Sequence, residues 1–326
     1  MSELYPLKFK TIYKDKIWGG QKIRTVLNKD FGSLPNCGET WEISGVSGNI
    51  SVASEGALKG KDLQSLLQEY KGKLVGEKVY QKYGDEFPLL VKFIDANDDL
   101  SVQVHPDDTL AAKRHNSFGK TEMWYVFQAD ENATLNSGFN RPLTKEQYLE
   151  YFDKGELMDI LNIEKVNADD VYFLPAGRVH YIGKGCLLAE IQQTSDVTYR
   201  MYDFDRTDDH GNKRELHTEE SLDAIDFTHH DQYRTSYDDK VNEIVKLVAC
   251  EYFTTNKLNY NQPVERDHSQ LDSFVIYVCM EGSLTMEYGN RVIQVQKGEA
   301  VLVPASISII TLRPKGEFKM LESYIA

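Results

Sequence analysis

The chain has 326 residues, of which 41% are hydrophobic, and it contains 19 tyrosines and 14 phenylalanines. This length and composition predict a folded globular protein with two ordinary domains or one elaborated domain. The formal net charge of −14 argues against a general binding surface for nucleic acid or anionic membranes. A ligand that carries phosphate would therefore need a local basic pocket.

The cysteines and the N-terminal segment bear on the compartment. The four cysteines are far apart and form no C-x-x-C pair: Cys37, Cys186, Cys250 and Cys279. This spacing indicates a reducing compartment, with neither a disulfide framework nor a zinc knuckle. The N-terminal segment has no apolar signal region, and no run reaches the ~18 apolar residues of a membrane span. We therefore expect a soluble, cytoplasmic protein that binds neither membrane nor nucleic acid.

Short β-strands dominate the predicted secondary structure, because segments rich in β-branched and aromatic residues alternate with Gly, Pro, Asp and Asn. The clearest of these strands are predicted over 40–45, 88–96, 101–105, 121–127, 170–177, 187–195 and 197–204. A short helix could follow residue 106, since Pro106 and two aspartates stop the preceding strand.

Longer helical patterns are confined to residues 61–84, 144–161 and 218–227. The second of these opens with a capping box from Thr144 to Gln147. Residues 205–217 and 228–240 are polar and are predicted to be loops and linker.

A weak internal repeat divides the chain into two parts. Residues 123–135 resemble 274–286, and residues 169–182 resemble 298–311. We therefore predict a first domain of residues 1–240, with helical insertions near 61–84 and 144–161. A second, smaller domain is predicted over residues 241–326.

The segment Pro-Ala-Gly-Arg-Val-His at 175–180 follows a predicted strand. A histidine three residues past the glycine of such a turn resembles the second half of the metal-binding motif of cupin barrels. In the repeat, Ser306 stands in place of that glycine and Ile309 in place of His180. The predicted fold is therefore mainly β, with two jelly-roll-like cupin barrels, of which the second is degenerate and lacks the metal site.

Four residues of the first barrel form a candidate metal site. Gln103 and His105 share one face of a predicted strand with Ser101, because side chains two positions apart point the same way. Glu122 lies on another predicted strand, and His180 would complete the set. Two imidazoles, one carboxylate and one amide oxygen suit a catalytic zinc ion, one per chain.

Plainer explanations exist for each residue alone. Gln103 and His105 could form an ordinary polar strand face, Glu122 could pair with Lys120, and His180 could be a hydrogen-bonded loop residue. The combination in this order is much harder to obtain by chance. The other histidines stand in polar contexts and are predicted to lie at the surface: His115, His210, His217, His229, His230 and His268.

These motifs together resemble the type I mannose-6-phosphate isomerases of the short bacterial kind. The matching segments span roughly the first two-thirds of the chain, over residues 13–20, 89–108, 119–126, 174–183 and 189–206. Two departures stand out. S-D-V-T-Y-R replaces the S-D-N-V-hydrophobic-R of longer members, and the helical insertion is much smaller.

The resemblance implies an enzyme that interconverts mannose 6-phosphate and fructose 6-phosphate, as a monomer or homodimer. It implies that Gln103, His105, Glu122 and His180 hold the zinc ion. The catalytic residues that it implies are Arg200, Lys120 and Glu190. The substrate-binding residues are Ser101 and Lys92 for the phosphate, with Trp18 lining the entrance.

The chemistry of an aldose–ketose isomerase requires one proton to move between C2 and C1 through an enediol. Positive charge from zinc, Lys120 and Arg200 would stabilise the developing oxyanion. The base could be Glu190, an incompletely committed His105 or a water on the metal. Two other functions stay open on the residues alone, a metal-dependent cupin dioxygenase and a non-enzymatic sugar-binding cupin.

Overall fold

The computed structural model describes residues 3–207 and 210–326, and these form a mainly β structure. The first eleven strands are Ile12–Lys14 (β1), Glu39–Ile43 (β2), Leu89–Asp95 (β3), Val102–Val104 (β4), Glu122–Ala129 (β5), Thr134–Phe139 (β6), Leu161–Lys165 (β7), Val171–Leu174 (β8), His180–Ile182 (β9), Cys186–Gln193 (β10) and Tyr199–Tyr202 (β11). The following strands are Ile244–Ala249 (β12), Thr254–Tyr260 (β13), Val264–Asp267 (β14), Val275–Tyr288 (β15), Arg291–Gln296 (β16), Ala300–Val303 (β17) and Ile309–Tyr324 (β18).

Short helices connect the strands of the N-terminal part. They are Lys22–Thr25 (α1), Leu63–Tyr70 (α2), Gly72–Val75 (α3), Glu77–Tyr83 (α4), Asp108–His115 (α5), Lys145–Asp153 (α6) and Thr218–Ala224 (α7), with a 3₁₀ turn at Leu157–Ile160. The predicted helical regions are thus confirmed, and so is the capping box between Thr144 and Gln147 at the start of α6. Helix α5 also forms as predicted, because the Asp107 side chain accepts a hydrogen bond from the Leu110 amide at its first turn.

The strands form three antiparallel sheets. The first has the order β1-β2-β3-β10-β5-β8, and the second has the order β11-β4-β9-β6-β7. The third has the order β12-β13-β18-β15-β16, with β14 beside β18 and β17 beside β15. Because the third sheet uses only strands from residue 244 onward, the C-terminal part forms its own β-structure. The predicted division at 240/241 stays a prediction, which this separation supports.

Apolar side chains fill the space inside and between the β-structures. Trp124 of β5 and Ile182 of β9 belong to a buried cluster drawn from the first two sheets. A second cluster joins Leu67 of α2 and Phe93 of β3 to Phe274, just before β15, so it seals the N-terminal part against the third sheet. These clusters make the first two sheets a rigid frame, in which polar side chains at the strand positions described below are held in place.

Strand pairing agrees with the sequence repeat. In the N-terminal part β5 pairs with β8, and in the C-terminal part β15 pairs with β17. These are the strands that the two pairs of similar segments supply. The mainly β fold of the cupin type that the sequence predicts is confirmed.

One histidine lies elsewhere than expected. His268 is buried with 8% of its surface exposed, and its Nε2 lies 2.8 Å from the hydroxyl of Tyr277. The prediction that His268 lies at the surface is therefore wrong. Its polar sequence neighbours are misleading, because β14 ends beside the buried pair of Arg266 and Glu322, where a polar side chain is needed.

The four cysteines are not cross-linked, and Cys37, Cys186 and Cys279 are buried. Burial raises the pKa of the Cys279 thiol to about 12, so this cysteine behaves as a small apolar side chain. Among the described residues, no helix is long and apolar enough to cross a membrane.

Candidate active site

Two rows of side chains face each other across the first barrel, one from each sheet. In the second sheet, Gln103 of β4 lies between Arg200 of β11 on one side and His180 of β9 on the other. Gln103 is the direct register partner of both Arg200 and His180. A single set of strand pairings therefore places a guanidinium, an amide and an imidazole in one line.

The first sheet supplies the other row. Lys92 of β3 lies opposite both Trp41 of β2 and Glu190 of β10, and Glu190 lies opposite Trp124 of β5. Strands β3 and β10 are buried along their whole length, so Lys92 and Glu190 are charged residues in the protein interior. Burial of charges is costly unless they are paired, and here the charges are paired with each other.

His105, Glu122 and His180 form a compact buried cluster. The Nε2 atom of His180 lies 3.3 Å from Oε1 of Glu122, and Nε2 of His105 lies 3.6 Å from Oε2. One candidate ligand atom from each residue lies within 4.8 Å of the other two. All three side chains are almost completely buried. Three of the four residues that the sequence predicts as metal ligands are thus brought together.

Both imidazoles direct their Nε2 atom toward this cluster. Nδ1 of His105 lies 2.9 Å from the carbonyl oxygen of Val197, and Nδ1 of His180 lies 2.8 Å from that of Arg178. Because a carbonyl oxygen only accepts, each Nδ1 carries the proton and each Nε2 offers a lone pair to the cluster. Metal-binding histidines typically donate their second nitrogen to a carbonyl in this way.

The acid–base properties of the cluster also favour a cation. Burial, together with the charge of Lys120, lowers the pKa of His180 to about 3 and that of His105 well below its usual value. Burial raises the pKa of Glu122, and the charge of Glu190 raises it further. Neither carboxylate oxygen of Glu122 accepts a well-oriented hydrogen bond from a described residue, although the Lys120 ammonium lies 2.9 Å from Oε2. The cluster thus combines neutral imidazoles with an under-satisfied buried carboxylate, and these groups fit a metal ion.

Gln103 and Lys120 connect the cluster to the space beside it. The amide nitrogen of Gln103 lies 3.2 Å from Nε2 of His180, and a half-turn of the amide would present its oxygen instead. The ammonium of Lys120 lies 3.0 Å from Nε2 of His105. Both side chains also line the adjacent cavity. Gln103 as a fourth ligand stays a prediction.

A cavity of about 300 Å³ opens beside the cluster. Its lining comprises Lys16, Trp18, Glu39, Trp41, Lys92, Ile94, Leu100, Ser101, Gln103, Lys120, Ile182, Glu190, Asp196, Thr198, Arg200 and Arg214. Five of these side chains are cationic and three are carboxylates. In a chain with a net charge of −14, this cavity is a local basic pocket of the kind that a phosphate-bearing ligand requires.

Glu190 is held by two donors at the inner wall of the cavity. Lys92 donates to Oε1 at 3.0 Å, and the indole of Trp124 donates to Oε2 at 2.9 Å. Burial alone would raise the pKa of Glu190, but the ammonium groups of Lys92 and Lys120 outweigh it and lower this pKa below its usual value. Glu190 is therefore an ionised, anchored carboxylate.

Arg200 reaches the cavity from the outer strand of the second sheet. One terminal nitrogen donates to the carbonyl oxygen of Glu215 at 2.7 Å. Its Nε is buried and has no hydrogen-bond partner among residues 3–207 and 210–326. The nearby carboxylate of Asp203 pairs with Arg206 and Arg214 rather than with Arg200. Arg200 retains donors for a ligand in the cavity.

Every residue that the sequence predicts for the site lies in the cluster or in the cavity lining. The catalytic and substrate-binding roles assigned to Arg200, Lys120, Glu190, Ser101, Lys92 and Trp18 stay predictions. Trp18 is 4% exposed; it belongs to a buried apolar cluster and also lines the cavity.

Nine lining residues were not predicted: the apolar Ile94, Leu100 and Ile182, and the polar or aromatic Lys16, Glu39, Trp41, Asp196, Thr198 and Arg214. Asp196 and Thr198 lie in the same S-D-V-T-Y-R segment as Arg200, so the two-residue alternation of that segment could have found them. Glu39 and Trp41 share a face of β2 for the same reason. Arg214 lies in a polar loop with no periodic pattern, and its place could not be read from the sequence.

Comparisons with known proteins agree with this geometry. Residues 6–132 match the family model for the catalytic domain of type I phosphomannose isomerase, and residues 243–325 match that for the cupin domain of mannose-6-phosphate isomerase. The chain is 36% identical to mannose-6-phosphate isomerase ManA of Bacillus subtilis over 325 residues, which cover 98% of this chain and 96% of that protein. It is 35% identical to mannose-6-phosphate isomerase of Streptococcus mutans over 306 residues, or 93% of each chain.

A solved structure is similar over the same extent. The crystal structure of the mannose 6-phosphate isomerase from Bacillus subtilis has a TM-score of 0.87 to this chain at 32% identity, with 98% of this chain and 99% of that one covered. Similarity at this level over the whole chain confirms the resemblance drawn from the motifs. This chain belongs to the type I mannose-6-phosphate isomerases.

Proposed function

We propose that this protein interconverts mannose 6-phosphate and fructose 6-phosphate through an enediol, with a zinc ion held by Gln103, His105, Glu122 and His180. The observation that carries the proposal is the position of the buried His–Glu–His cluster. It opens, through Gln103 and Lys120, onto a cavity with an excess of cationic side chains. The protein's family membership favours this function over a cupin dioxygenase or a non-enzymatic sugar-binding cupin.

The charge of the cavity suits a phosphosugar. Lys16 and Arg214 stand in the lining with partial exposure, whereas Lys92 is buried against Glu190. A phosphate dianion is best met by cations that remain accessible, so the outer part of the cavity is the better place for it. The inner part, beside the cluster, then receives the reacting carbons C1 and C2.

Zinc at the cluster would act as a Lewis acid toward the substrate oxygens on C1 and C2. The protein's own groups supply the rest of the positive charge. Lys120 lies at the junction of cluster and cavity, and Arg200, whose Nε has no partner among the described residues, also lines the cavity. Both can stabilise negative charge that develops on an enediolate oxygen, because they are fixed before the reaction begins.

Proton transfer requires a base with a free lone pair. Glu190 has a donor on each oxygen, and His105 has its Nδ1 on a carbonyl and its Nε2 within the cluster. The carboxylate of Asp196 also lines the cavity, and within the described residues no hydrogen bond or ion pair engages its side chain. Each oxygen of Glu190 accepts only one hydrogen bond and keeps a second lone pair, so the candidate bases for proton transfer between C2 and C1 are Glu190, Asp196 and a water on the metal.

The enediol can be tested by isotope exchange. When mannose 6-phosphate is brought to equilibrium in D₂O, we expect deuterium from solvent at the carbon that receives the proton. A direct hydride shift would carry the original hydrogen across, so a product without deuterium after full equilibration would contradict the enediol. Unphosphorylated mannose serves as the control for the phosphate, and we expect it to react far more slowly because it lacks the anion that the cationic side chains of the cavity would bind.

A further inference from the structure

Arg200 is held by a segment outside the sheet to which it belongs. Strand β11 lies at the edge of the second sheet, and its inner side pairs with β4. On its outer side, the amide and carbonyl of Arg200 point away from β4. The amide of His217 donates to the carbonyl oxygen of Arg200 at 2.7 Å.

The second contact on this outer side comes from a side chain. The amide of Arg200 donates to Nδ1 of the His217 imidazole at 3.0 Å. In a sheet this donor would meet the carbonyl of a neighbouring strand, and here the imidazole takes that place. His217 thus satisfies both backbone groups of Arg200, while Glu215 from the same segment accepts from the guanidinium.

The imidazole of His217 is itself firmly placed. Helix α7 begins directly after His217, and the amide of Ser221 donates to the His217 carbonyl oxygen at 2.9 Å. The ring lies beside that of Tyr199, with 6.2 Å between the ring centroids. At the far end of α7, the amide of Asp226 donates to the carbonyl of Gly177 at 2.8 Å, in the turn that leads to His180. The position of the imidazole is therefore tied to the frame of the active site.

We propose that His217 is a positioning residue for catalysis. Its Nδ1 acts as the missing strand partner of Arg200, and so fixes the direction in which the guanidinium enters the cavity. The inference rests on the proposed catalytic role of Arg200. His217 is not among the residues that line the cavity, so we assign its influence on the reaction to its contacts with Arg200. A displacement of about 1 Å in a catalytic group can cost on the order of 10² in rate.

The position of the acceptor atom gives a sharp first test. His217→Leu removes the acceptor, His217→Asn keeps an acceptor atom at the δ position, and His217→Gln moves it one atom outward. We expect His217→Leu to lower kcat by about 10- to 100-fold with KM changed far less. His217→Asn should retain much of kcat, and His217→Gln little of it.

A matched control separates this effect from damage to α7. The Ser221 side chain is buried and donates to the Thr218 carbonyl at 2.8 Å, without contact to Arg200. Ser221→Ala should therefore disturb the start of α7 and leave kcat close to that of the parent protein. All kcat values are calculated per metal-loaded chain, so that a fraction of unfolded protein does not lower the apparent kcat.

A double-mutant cycle decides whether His217 acts through Arg200. In the Arg200→Ala background, His217→Leu should change kcat by about twofold or less, because the group that it positions is already absent. An equal loss of kcat in both backgrounds would overturn the inference, and so would equal kcat values for His217→Asn and His217→Leu. The proposed function fails separately, if the parent protein does not isomerise mannose 6-phosphate or if Arg200→Ala leaves kcat unchanged.

Discussion

The guanidinium of Arg200 combines one fixed donor with one free donor. One terminal nitrogen donates to the Glu215 carbonyl, and the buried Nε has no partner among the described residues. A planar, permanently charged group in this position can meet charge that appears on substrate oxygens only as the reaction proceeds. Burial and the neighbouring Arg214 lower the pKa of Arg200 from its usual value, and it still remains charged at any working pH.

Replacement of this group should therefore affect the transition state more than substrate binding. We predict that Arg200→Ala lowers kcat by about 10²–10³, with KM changed far less and the metal content unchanged. Arg200→Lys should recover only part of the loss, because a point charge cannot reproduce the planar fork. Steady-state kinetics on mannose 6-phosphate measure both constants. A raised KM with an intact kcat would instead make Arg200 an anchor for the phosphate.

His180 is predicted to bind the metal ion directly, as one of the ligands of the cluster. Its Nε2 faces Glu122, and its ring contacts that of Trp124 with 5.2 Å between the ring centroids. We predict that His180→Ala abolishes both metal retention and activity, while the circular dichroism spectrum remains that of a folded β-protein. Elemental analysis after desalting measures the metal. His115→Ala is the control, because His115 is exposed on α5 and contacts Tyr199 rather than the cluster. Full metal occupancy in His180→Ala would show that the ligand assignment is wrong.

Local hydrogen bonds at element ends stabilise the insertions without taking part in the site. Thr144 accepts from the Gln147 amide at 3.3 Å, and the Gln147 side chain accepts from the Thr144 amide at 2.9 Å. Loss of such a cap typically costs about 1 kcal/mol. We predict that Thr144→Ala lowers the free energy of unfolding by about this amount and leaves kcat unchanged, since α6 lies outside the cavity lining.

Urea unfolding and the isomerase assay measure the two quantities. Thr144→Ser is the matched variant, because serine keeps the hydroxyl acceptor, and it should retain nearly the full stability. A loss of activity in Thr144→Ala at a temperature where it is fully folded would show that α6 contributes to the site.

The sequence predicts some of the elements and site residues but not others. The capping box, the alternation around Gln103 and His105, and the Pro-x-Gly-x-x-His segment are local patterns, and each led to the correct element. His268 was misplaced, because its burial follows from a partner on β18, far away in sequence. Arg214 lines the cavity from a loop and donates to Asp203, and no periodic pattern in the sequence predicts such a contact. Long-range contacts of this kind depend on the complete fold.

At the scale of the molecule, the distribution of charge separates the cavity from the surface. The chain carries a net charge of −14, yet cationic side chains outnumber carboxylates in the cavity lining. Such an arrangement repels polyanions from the surface and concentrates a small phosphorylated ligand in one place. The buried cations of this cavity are paired: Lys92 with Glu190 and Lys120 with Glu122. An unpaired ammonium group in the interior would be costly.

The C-terminal barrel contains an ion pair between Arg266 of β14 and Glu322 of β18. Glu322 is fully buried on β18 and accepts from Arg266 at 2.8 and 3.0 Å and from Tyr277 at 2.7 Å. Burial alone would raise the pKa of Glu322, but Arg266 and Tyr277 outweigh it and lower this pKa below its usual value. The pair therefore contributes stability above the pKa of an unfolded glutamate, and this contribution is lost as the pH falls toward the lowered folded value.

Removal of one partner should leave an uncompensated buried charge. We predict that Arg266→Ala destabilises the protein by about 3–5 kcal/mol. Arg313→Ala is the control in the same sheet, because its pair with Glu287 is largely exposed and is worth at most about 1 kcal/mol. Urea unfolding at neutral pH measures both. Equal effects of the two substitutions would contradict the account of a buried, stabilising pair.

The most direct test of the central claim is turnover of mannose 6-phosphate before and after metal removal. We predict that the purified protein forms fructose 6-phosphate in a coupled assay, that it contains about one zinc ion per chain, and that a chelator abolishes both. Added zinc should restore the activity of the parent protein but not that of His180→Ala. Full activity in a metal-free preparation, or zinc-loaded protein without isomerase activity, would contradict the claim.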